Sequence, residues 1–500
     1  MRSSTSGCPS KLPRRAPASQ AAALLATALL LAACGVGPVQ PPQLQVSLSD
    51  SFRQATEQSA TTADGAWWAR FGDATLTALI EQALGANHDI ASALDRVREA
   101  RAGSDAQASR LLPKIDLQGS ALDLRSDLPM AVKQGQPDTR AYRGSVDLAW
   151  EIDLAGGVRA ARDAARADAQ AAAARVAGAR LLVASEVARQ YFTLRSAEER
   201  RRIVEALVQA QRDTARLVDS RQREGQASAF DLDRACAEAD AFAAQLPPLR
   251  TLVGVSQTRL AVLLGANPSQ PVAASAAAFT WPAAPQIGTG QPSELLKRRP
   301  DLMAAEARYA AETLRGAEAR AQWWPKLFAS ALLGREDLRL NALDLAPVRF
   351  SSVALAFTAP LFNAGRIDAG IQAQSARADE ALHAWQKSVL VAVQEVEDSL
   401  LARAQEQERG SALEATLAHR RRSLQRAESL VREGQIDLLA LLDVQRSVLA
   451  GELALSESRL QQALDSVQLY KALGGGYGAQ NEPAAVAAAS RALTPERTAP

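Results

Sequence analysis

The sequence predicts a mainly helical protein with a small β part, organised as two tandem repeats. Three glycine landmarks recur after the same interval of 209 residues (365 − 156, 434 − 225 and 474 − 265). Hydrophobic residues make up 47% of the chain but aromatic residues only 4%, so the apolar content is mostly Ala, Leu and Val, which suit close helix packing. Period-two alternation is confined to four short stretches. A long sequence pattern that occurs twice in one chain predicts two copies of one structural unit.

Residues 1–33 are typical of an export signal. An Ala- and Leu-rich run over residues 21–33 is too short for a spanning helix and is soon followed by prolines. The run leads into Leu31-Ala32-Ala33-Cys34, which resembles the bacterial lipobox, in which the cysteine becomes an acylated N-terminus. Gly35-Val36 lacks the Asp that favours inner-membrane retention. We therefore predict lipidation of Cys34 and an anchor in outer-membrane lipid; the alternative is ordinary signal cleavage that leaves a free thiol.

The segment between the leader and the first strand divides into a tether and a helical region. Residues 34–66 are rich in Pro, Gln, Ser and Thr and predict an extended N-terminal tether. Residues 67–112 carry apolar side chains at helical spacing, which predicts short helices that end before Pro113.

The first strand pair is predicted over residues 113–154, with strands at 115–128 and 142–154. Apolar residues alternate with polar ones most clearly in the second strand, at Val146, Leu148, Trp150 and Ile152.

A long helical hairpin is predicted over residues 155–265. Residues 158–223 contain no proline and one glycine, and as one helix they would be ~99 Å long. Their apolar positions step by four and three, as in a coiled coil, at Val183, Val187, Tyr191 and Leu194. Gly225 ends this helix, and the returning helix over 229–264 is expected to bend at Pro247-Pro248. Cys236, in the returning helix, is predicted to be a buried small hydrophobic residue.

The second repeat replays this order. Its predicted segments are an inter-repeat linker over 266–291, a short helix over 292–324, a strand pair over 325–362 and a second long helical hairpin over 363–474. The strands cover 327–340 and 349–362, and Pro325-Lys326 follows Pro113-Lys114 by 212 residues (325 − 113 = 212). Residues 475–500 are rich in Ala and Pro and are predicted to be a disordered tail.

Four strands of this length can cross a membrane, but they cannot close a sheet on their own. An open sheet edge in lipid would leave backbone groups without hydrogen bonds, at several kcal/mol each. Two chains would supply eight strands, whose side chains nearly fill the interior, whereas three chains would supply twelve and leave a lumen. The sequence therefore favours a homotrimeric conduit.

The motif Trp67-Trp68-Ala69-Arg70-Phe71-Gly72-Asp73, followed by Leu76, Leu79 and Ile80, resembles the TolC family. With the lipobox and the doubled strand and helix pattern, the chain is most similar to the lipoprotein branch of outer-membrane efflux channels, called the OprM or NodT type. The resemblance covers residues 67–474. It implies a homotrimer with a 12-stranded β-barrel continued by a 12-helix α-barrel. It also implies a passive efflux duct, joined to an inner-membrane pump through a periplasmic adaptor protein.

The resemblance implies a gate at the periplasmic end. Leu439, Asp443 and Arg446 match the spacing of the constriction residues in this family, and Asp231 lies in the corresponding turn of the first repeat. Three Asp443 carboxylates would meet near the axis of a trimer, where they would attract cations. The alternatives are a surface i, i+3 pair for Asp443 and Arg446, and an ordinary acid at a helix N-terminus for Asp231.

The two turns between long helices are predicted to lie farthest from the strands and to mark the periplasmic mouth. We expect them to contact the helical hairpin of the adaptor through Arg223, Glu224, Gly225, Gln226, Arg432, Glu433, Gly434 and Gln435.

Other classes of protein are disfavoured by the sequence. A net charge of +2, without a basic face joined to stacking aromatics, argues against nucleic-acid binding. The histidines His88, His383 and His419 have no zinc-protease spacing, and no phosphate-binding loop motif is present, so we expect no metal, no cofactor and no enzyme activity.

Three alternatives to an efflux channel stay open: a periplasmic adaptor lipoprotein, a type I protein secretion channel and a structural coiled coil. An adaptor would carry one hairpin between split β-domains, whereas this sequence has two hairpins in tandem. The cargo, whether drugs, metals, solvents or proteins, is undecided at this stage.

Overall fold

The computed structural model describes residues 46–53, 66–127, 129, 138–270, 279–283, 285–340 and 343–475. The predicted leader, Cys34, most of the tether and the tail after residue 475 lie outside the described residues. The chain divides into two compact units. A sheet unit contains residues 100–168 and 309–381, and a helical unit contains residues 43–99, 169–308 and the chain from 382 onward.

The predicted combination of a mainly helical chain, a small sheet and two repeats is confirmed. The first repeat contains α1 (Ala74–Ala86), α2 (His88–Ser109), β1 (Lys114–Leu124), β2 (Thr139–Ile152), α3 (Gly157–Arg223), α4 (Ala229–Ala243) and α5 (Leu246–Leu263). The second repeat contains α6 (Leu295–Arg298), α7 (Pro300–Ala321), β3 (Lys326–Leu340), β4 (Leu343–Asp344), β5 (Val348–Thr358), α8 (Arg366–Arg432) and α9 (Leu438–Ala472). Short 3-10 turns occupy Trp67–Phe71 and Pro292–Glu294.

The strands of the sheet unit form one antiparallel sheet in the order β1-β2-β3-β5, with the two residues of β4 pairing beside the end of β3. The central ladder joins the repeats, because β2 of the first pairs with β3 of the second over 14 residue pairs, Val146 opposite Leu333 among them. Within the described sheet, β1 and β5 are the edge strands.

One face of this sheet is apolar at the end of the ladders where β1 begins, and its other end is charged, with Asp123, Arg140, Arg335 and Arg349. Residues that are paired across a ladder lie on the same face of a sheet, so the registers from β1 to β5 show which residues share this face. Its apolar members are Ile115, Leu117, Val146, Leu148, Trp150, Ile152, Leu327, Leu333, Val353, Leu355 and Phe357. The opposite face is mixed. It carries the polar residues Lys114, Asp116, Gln118, Ser145, Asp147 and Glu151 and the apolar residues Phe328, Leu332 and Phe350. Many of the apolar residues are exposed in the single chain, Val353 by 88% and Leu117 by 83%.

Two breaks divide the predicted helical segments of the first repeat. The region over 67–112 divides at Asn87, which is extended and caps α2 with its side-chain oxygen, accepting from the Asp89 amide at 2.9 Å. The returning helix over 229–264 is interrupted at Ala244 and Gln245 rather than bent. The cause is the prolines at the start of α5, which provide no backbone N–H for the preceding helical turn.

The predicted short helix over 292–324 is also interrupted. Arg299 adopts an extended conformation (φ −86°, ψ 117°) between α6 and α7. The reason is Pro300, whose ring disfavours helical geometry in the residue before it. Arg299 is 8% exposed, and it donates to the Glu395 carboxylate at 2.6 Å and to the Ala472 carbonyl at 3.0 Å. This break therefore connects α6 and α7 to α8 and to the end of α9.

The core of the helical unit contains the aromatic motif that carries the family resemblance. Trp67 stacks on Tyr470 of α9 with ring centroids 5.2 Å apart, and Phe71 lies 5.2 Å from Phe192 of α3. Trp281, from the predicted linker, stacks on Phe192. The motif thus packs the turn Trp67–Phe71 and the end of α9 against α3.

Asp73 serves both secondary structure and packing. One carboxylate oxygen accepts from the amides of Thr75 and Leu76 at 2.8 and 3.0 Å and caps α1. The other accepts from the Tyr191 hydroxyl at 2.5 Å. Burial first, and then this hydrogen bond to a carboxylate, raise the pKa of Tyr191 to about 12.

The predicted coiled-coil seam is buried, since Val183, Val187, Tyr191 and Leu194 are each at most 5% exposed. The prediction for Cys236 is wrong, because this side chain is exposed. The buried stripe of α4 runs through Ala235 and Ala239, and the next position along a helix turns away from that stripe.

None of the helices in the described ranges has both the length and the apolar character to cross a membrane.

Candidate functional site

The two turns between long helices have the same backbone structure. Gly225 and Gly434 adopt φ values of 75° and 70°, a left-handed conformation that costs other residues about 1–2 kcal/mol. In the first turn Gly225 donates to the Gln222 carbonyl at 2.9 Å and Gln226 to Arg221 at 2.8 Å. The second turn repeats both bonds 209 residues later (434 − 225 = 209). Both helices therefore end in a Schellman motif with glycine after the last helical residues.

The side chains of these turns point into solvent in the single chain. All eight predicted docking residues are exposed: Arg223, Glu224, Gly225, Gln226, Arg432, Glu433, Gly434 and Gln435. Their local bonds are short-range, such as Arg223 to Asp219 at 2.5 Å and Gln435 to Glu433 at 3.0 Å. Each turn is thus closed by two backbone hydrogen bonds and exposes its side chains at the surface.

Asp231 makes the contacts of a helix cap. Ser228 caps α4 by accepting from the Asp231 amide at 3.1 Å, while the Asp231 carboxylate accepts from the Ser228 amide at 3.1 Å and from its hydroxyl at 2.7 Å. This reciprocal arrangement is a capping box. The hydrogen bonds from Ser228 hold the pKa of Asp231 below its usual value. Its contacts within one chain fit the alternative of an acid at a helix N-terminus, and a part in the gate stays a prediction.

Asp443 and Arg446 lie one turn apart on α9, and the structure brings only Arg446 into a close ion pair. The Arg446 guanidinium contacts Asp443 at 3.8 Å, but its close partner is Glu238 on α4. Arg446 is 48% exposed and Glu238 21% exposed. Asp443 is 62% exposed, so its carboxylate is open to other groups. Leu439 lies in the first turn of α9, and its side chain is outside the described part of the molecule.

Glu238 is the residue of this cluster that sequence reasoning missed. It belongs to the first repeat, whereas Arg446 belongs to the second, so the bond ties the returning helices of the two repeats together. A second cross-repeat bond supports it, from the Gln211 amide of α3 to the Gln445 side chain at 2.9 Å. A third is donated by Arg200 to Glu457 at 2.8 Å. No spacing along the chain signals these bonds, because they depend on the register between helices far apart in sequence.

An apolar layer backs these polar bonds. Buried side chains from α3, α4, α5 and α9 meet in one cluster, formed by Val204, Val208, Phe242, Leu246, Leu249 and Leu449. The helices α3, α4, α5 and α9 therefore pack together around this cluster. The bond from Gln211 is buried with it, since Gln211 is 1% exposed.

The described residues contain no group of His, Cys, Asp and Glu arranged to hold a metal ion. His419 is exposed and contacts Arg422 at 2.9 Å. Chemically, the site consists of exposed carboxylates, arginines and tight turns, which can hold helices together through ion pairs and hydrogen bonds.

Two repeats, each with a strand pair and a long helical hairpin, define the class of outer-membrane channels. Residues 79–266 and 291–475 match the family model described as outer membrane efflux protein. The chain belongs to the outer membrane efflux protein family.

Relatives match almost the whole chain. A pyoverdine export outer membrane protein, OpmQ of Pseudomonas putida, is 32% identical over 92% of this chain and 98% of its own length. Outer membrane protein OprJ of Pseudomonas aeruginosa is 28% identical over 93% of this chain and 97% of its own length. Among solved structures, the outer-membrane channel OprN superposes with a TM-score of 0.79 at 29% identity, covering 88% of this chain and all of that chain. The chain is thus an outer-membrane efflux protein that extends into the periplasm.

Proposed function

We propose that this protein is the outer-membrane channel of a tripartite efflux system, in which three copies form one passive duct from the periplasm to the exterior. The observation that carries the proposal is the sheet, which presents an apolar face and two edge strands on a chain with two long helical hairpins. The duct itself has no enzymatic activity, and transport is driven by the pump to which it is joined.

The edge strands support assembly from several copies. Hydrogen-bonding groups along β1 and β5 would be left unsatisfied in lipid at a cost of several kcal/mol each, unless another strand covers them. Three chains supply twelve strands, enough for a barrel with an open lumen, and the helical hairpins of three chains supply a twelve-helix tube.

The gate is proposed at the cluster around Arg446. Its ion pair with Glu238 ties α9 to α4 and favours the closed arrangement of the helices. Asp443, which is exposed in a single chain, faces its two copies in the trimer and forms a ring of carboxylates with Leu439 beside it. Asp231 caps α4 at the same end, so a shift of this helix moves both Asp231 and Glu238.

Partners and cargo follow from the surfaces and the relatives. The turns at 223–226 and 432–435 dock the periplasmic adaptor, which connects the duct to the inner-membrane pump, and Cys34 holds the tether in outer-membrane lipid. OpmQ is named for export of pyoverdine, and this supports a small-molecule cargo over the alternative of protein secretion.

The proposal is tested by ion conductance of the purified protein in planar lipid bilayers. An ion pair exposed to this degree contributes about 0.2–1 kcal/mol, and three act together, so Arg446→Ala and Glu238→Gln should each raise the open fraction at least about threefold.

Arg459→Ala is the matched control, because Arg459 also lies on α9 but pairs with Glu414 of the same hairpin. It should leave the conductance unchanged. Gating by this ion pair is refuted if all three variants behave alike. A protein that never conducts in any variant would refute the duct itself.

A further inference from the structure

The registers inside one chain assign the residue pairs that join neighbouring copies. The two strand pairs of the chain are related by the repeat. A residue of β1 corresponds to the residue of β3 that lies 212 positions later, and a residue of β2 corresponds to the residue of β5 that lies 209 positions later. The β1–β2 pair of Lys114 with Ala149 therefore corresponds to Lys326 with Thr358, and this is an observed β3–β5 pair (114 + 212 = 326; 149 + 209 = 358). The opposite end of the ladder obeys the same rule, because Leu124 and Thr139 become Glu336 and Val348. The two repeats therefore have one common register.

The same rule applied to the ladder between repeats gives a ladder that a single chain cannot make. β2 of the first repeat pairs with β3 of the second. When each strand is replaced by its counterpart in the other repeat, the β2–β3 ladder becomes a ladder between β5 and β1. Within one chain β5 and β1 lie at opposite edges of the sheet, so this ladder needs β1 of another copy.

We propose that β5 of one copy pairs antiparallel with β1 of the next, with Leu355 opposite Ala121 and Ala354 opposite Leu122. These pairs are the equivalents of Val146 with Leu333 and of Ser145 with Gly334 (146 + 209 = 355; 333 − 212 = 121). The inference rests on the proposed function, since it takes copies of this chain as the partners of both edges.

The faces of the sheet agree with this register. Leu355 belongs to the apolar face, and Ala121 lies on the same face of β1 as Leu117 and Ile115. The register therefore continues the apolar face from one copy into the next, whereas a slip of one residue would join apolar to polar faces. It also sets Phe357, which is 76% exposed in the single chain, opposite Gly119, a pairing in which the ring covers the glycine.

Charge distinguishes this register from slips of two residues, which would keep the faces matched. Continued beyond β1, the proposed register places Arg349 opposite Asp127. A slip of two in one direction would place Arg349 opposite Arg125, and a slip in the other direction would place it opposite Pro129, which has no amide to donate. Opposite charges stabilise a cross-strand pair and like charges destabilise it, which favours the proposed register. This preference is small, because the sheet itself contains Arg335 opposite Arg349 and Arg140 opposite Arg339, and the cross-linking controls below decide the register.

Disulfide cross-linking in membranes tests the assignment, in a Cys236→Ser background. One double variant carries Ala121→Cys with Leu355→Cys, and the other carries Leu122→Cys with Ala354→Cys. Adjacent pairs alternate between hydrogen-bonded and non-hydrogen-bonded sites, so one of the two suits a disulfide. After mild oxidation, non-reducing gels should show a covalent species of about three times the mass of the single processed chain, which is lost on reduction.

Matched controls fix the register. Leu122→Cys with Ser352→Cys and Leu122→Cys with Ala356→Cys represent slips of two and should give less than a tenth of the cross-linked product. Val146→Cys with Leu333→Cys and Ser145→Cys with Gly334→Cys are the equivalent pairs within one chain, and at least one should form an internal disulfide, detected by peptide mass.

The outcomes separate the two proposals. Cross-linking by a slipped pair instead of both proposed pairs overturns the register and leaves the trimeric duct intact. Absence of interchain product from a protein that is trimeric in detergent, with the internal controls oxidised, overturns the register as well. A monomeric protein without interchain product overturns the proposed function.

Discussion

Replacing Gly474 with alanine tests how the end of α9 is held against the break between α6 and α7. Gly474 adopts φ 86°, and a Cβ atom added there would lie 2.6 Å from the Arg298 carbonyl oxygen and 2.9 Å from its carbon. Gly434 adopts φ 70° at the end of α8, where an added Cβ would meet no atom within 4 Å. The two glycines thus share a conformation and differ in their surroundings.

The expected loss of stability has two contributions, the left-handed backbone conformation and the overlap of the added Cβ atom with its surroundings. Alanine in a left-handed conformation costs about 1–2 kcal/mol, and both variants incur this cost. At Gly474 the clash is with backbone, which moves only if Arg299 gives up its bonds to Glu395 and to the Ala472 carbonyl. Overpacking of this kind adds about 1–3 kcal/mol. Gly474→Ala should therefore lose about 2–5 kcal/mol, and Gly434→Ala only about 1–2 kcal/mol.

Thermal unfolding in detergent, monitored by circular dichroism of the helices, shows which of the two variants has the lower unfolding temperature. The first repeat supplies an internal replicate, since Gly265→Ala would place its Cβ 2.5 Å from the Ala86 carbonyl oxygen while Gly225→Ala would meet no atom within 4 Å. Gly474→Ala and Gly265→Ala should unfold at clearly lower temperatures than their partners. Equal midpoints within each pair would show that the backbone contact carries no cost and would refute the reasoning.

Two further predictions concern single side chains. Because the pKa of Tyr191 is raised from 10.0 to about 12 in the folded protein, its contribution to stability is complete below about pH 10 and is lost as the pH rises toward 12. Tyr191→Phe should flatten the alkaline part of a stability-versus-pH curve, while Tyr142→Phe, which alters an exposed ring, should not; identical curves for both variants would contradict the assignment. If Cys34 is acylated, Cys34→Ser should abolish labelling of the protein by a radioactive fatty acid, and persistent labelling would disprove lipidation at this residue.

Elements set by local pattern could be predicted from the sequence. The strands β2 and β3 and the helices α3 and α8 lie within a few residues of their predicted bounds, because alternation and the absence of proline act over neighbouring residues. The turns at Gly225 and Gly434 were predictable for the same reason, since a left-handed helix end selects glycine. The break at Arg299 had its signal in Pro300, which disfavours helical geometry in the residue before it.

In the candidate site, the sequence and the family resemblance indicated Asp443, Arg446 and Asp231, but not the partners of these residues. Arg446 pairs with Glu238, 208 residues away, and Asp231 pairs with Ser228 in a capping box. The exposed position of Cys236 was also out of reach, because a small apolar residue fits either side of a helix and only packing decides which side is buried.

The sequence by itself determined the repeat and the order of strands and helices, because periodicity, glycine and proline act through the nearby backbone. Only the tertiary structure decided the register between strands and the contacts between the returning helices, such as the ion pair of Arg446 with Glu238. Those contacts join residues far apart in sequence, and their geometry is set when the two repeats pack together.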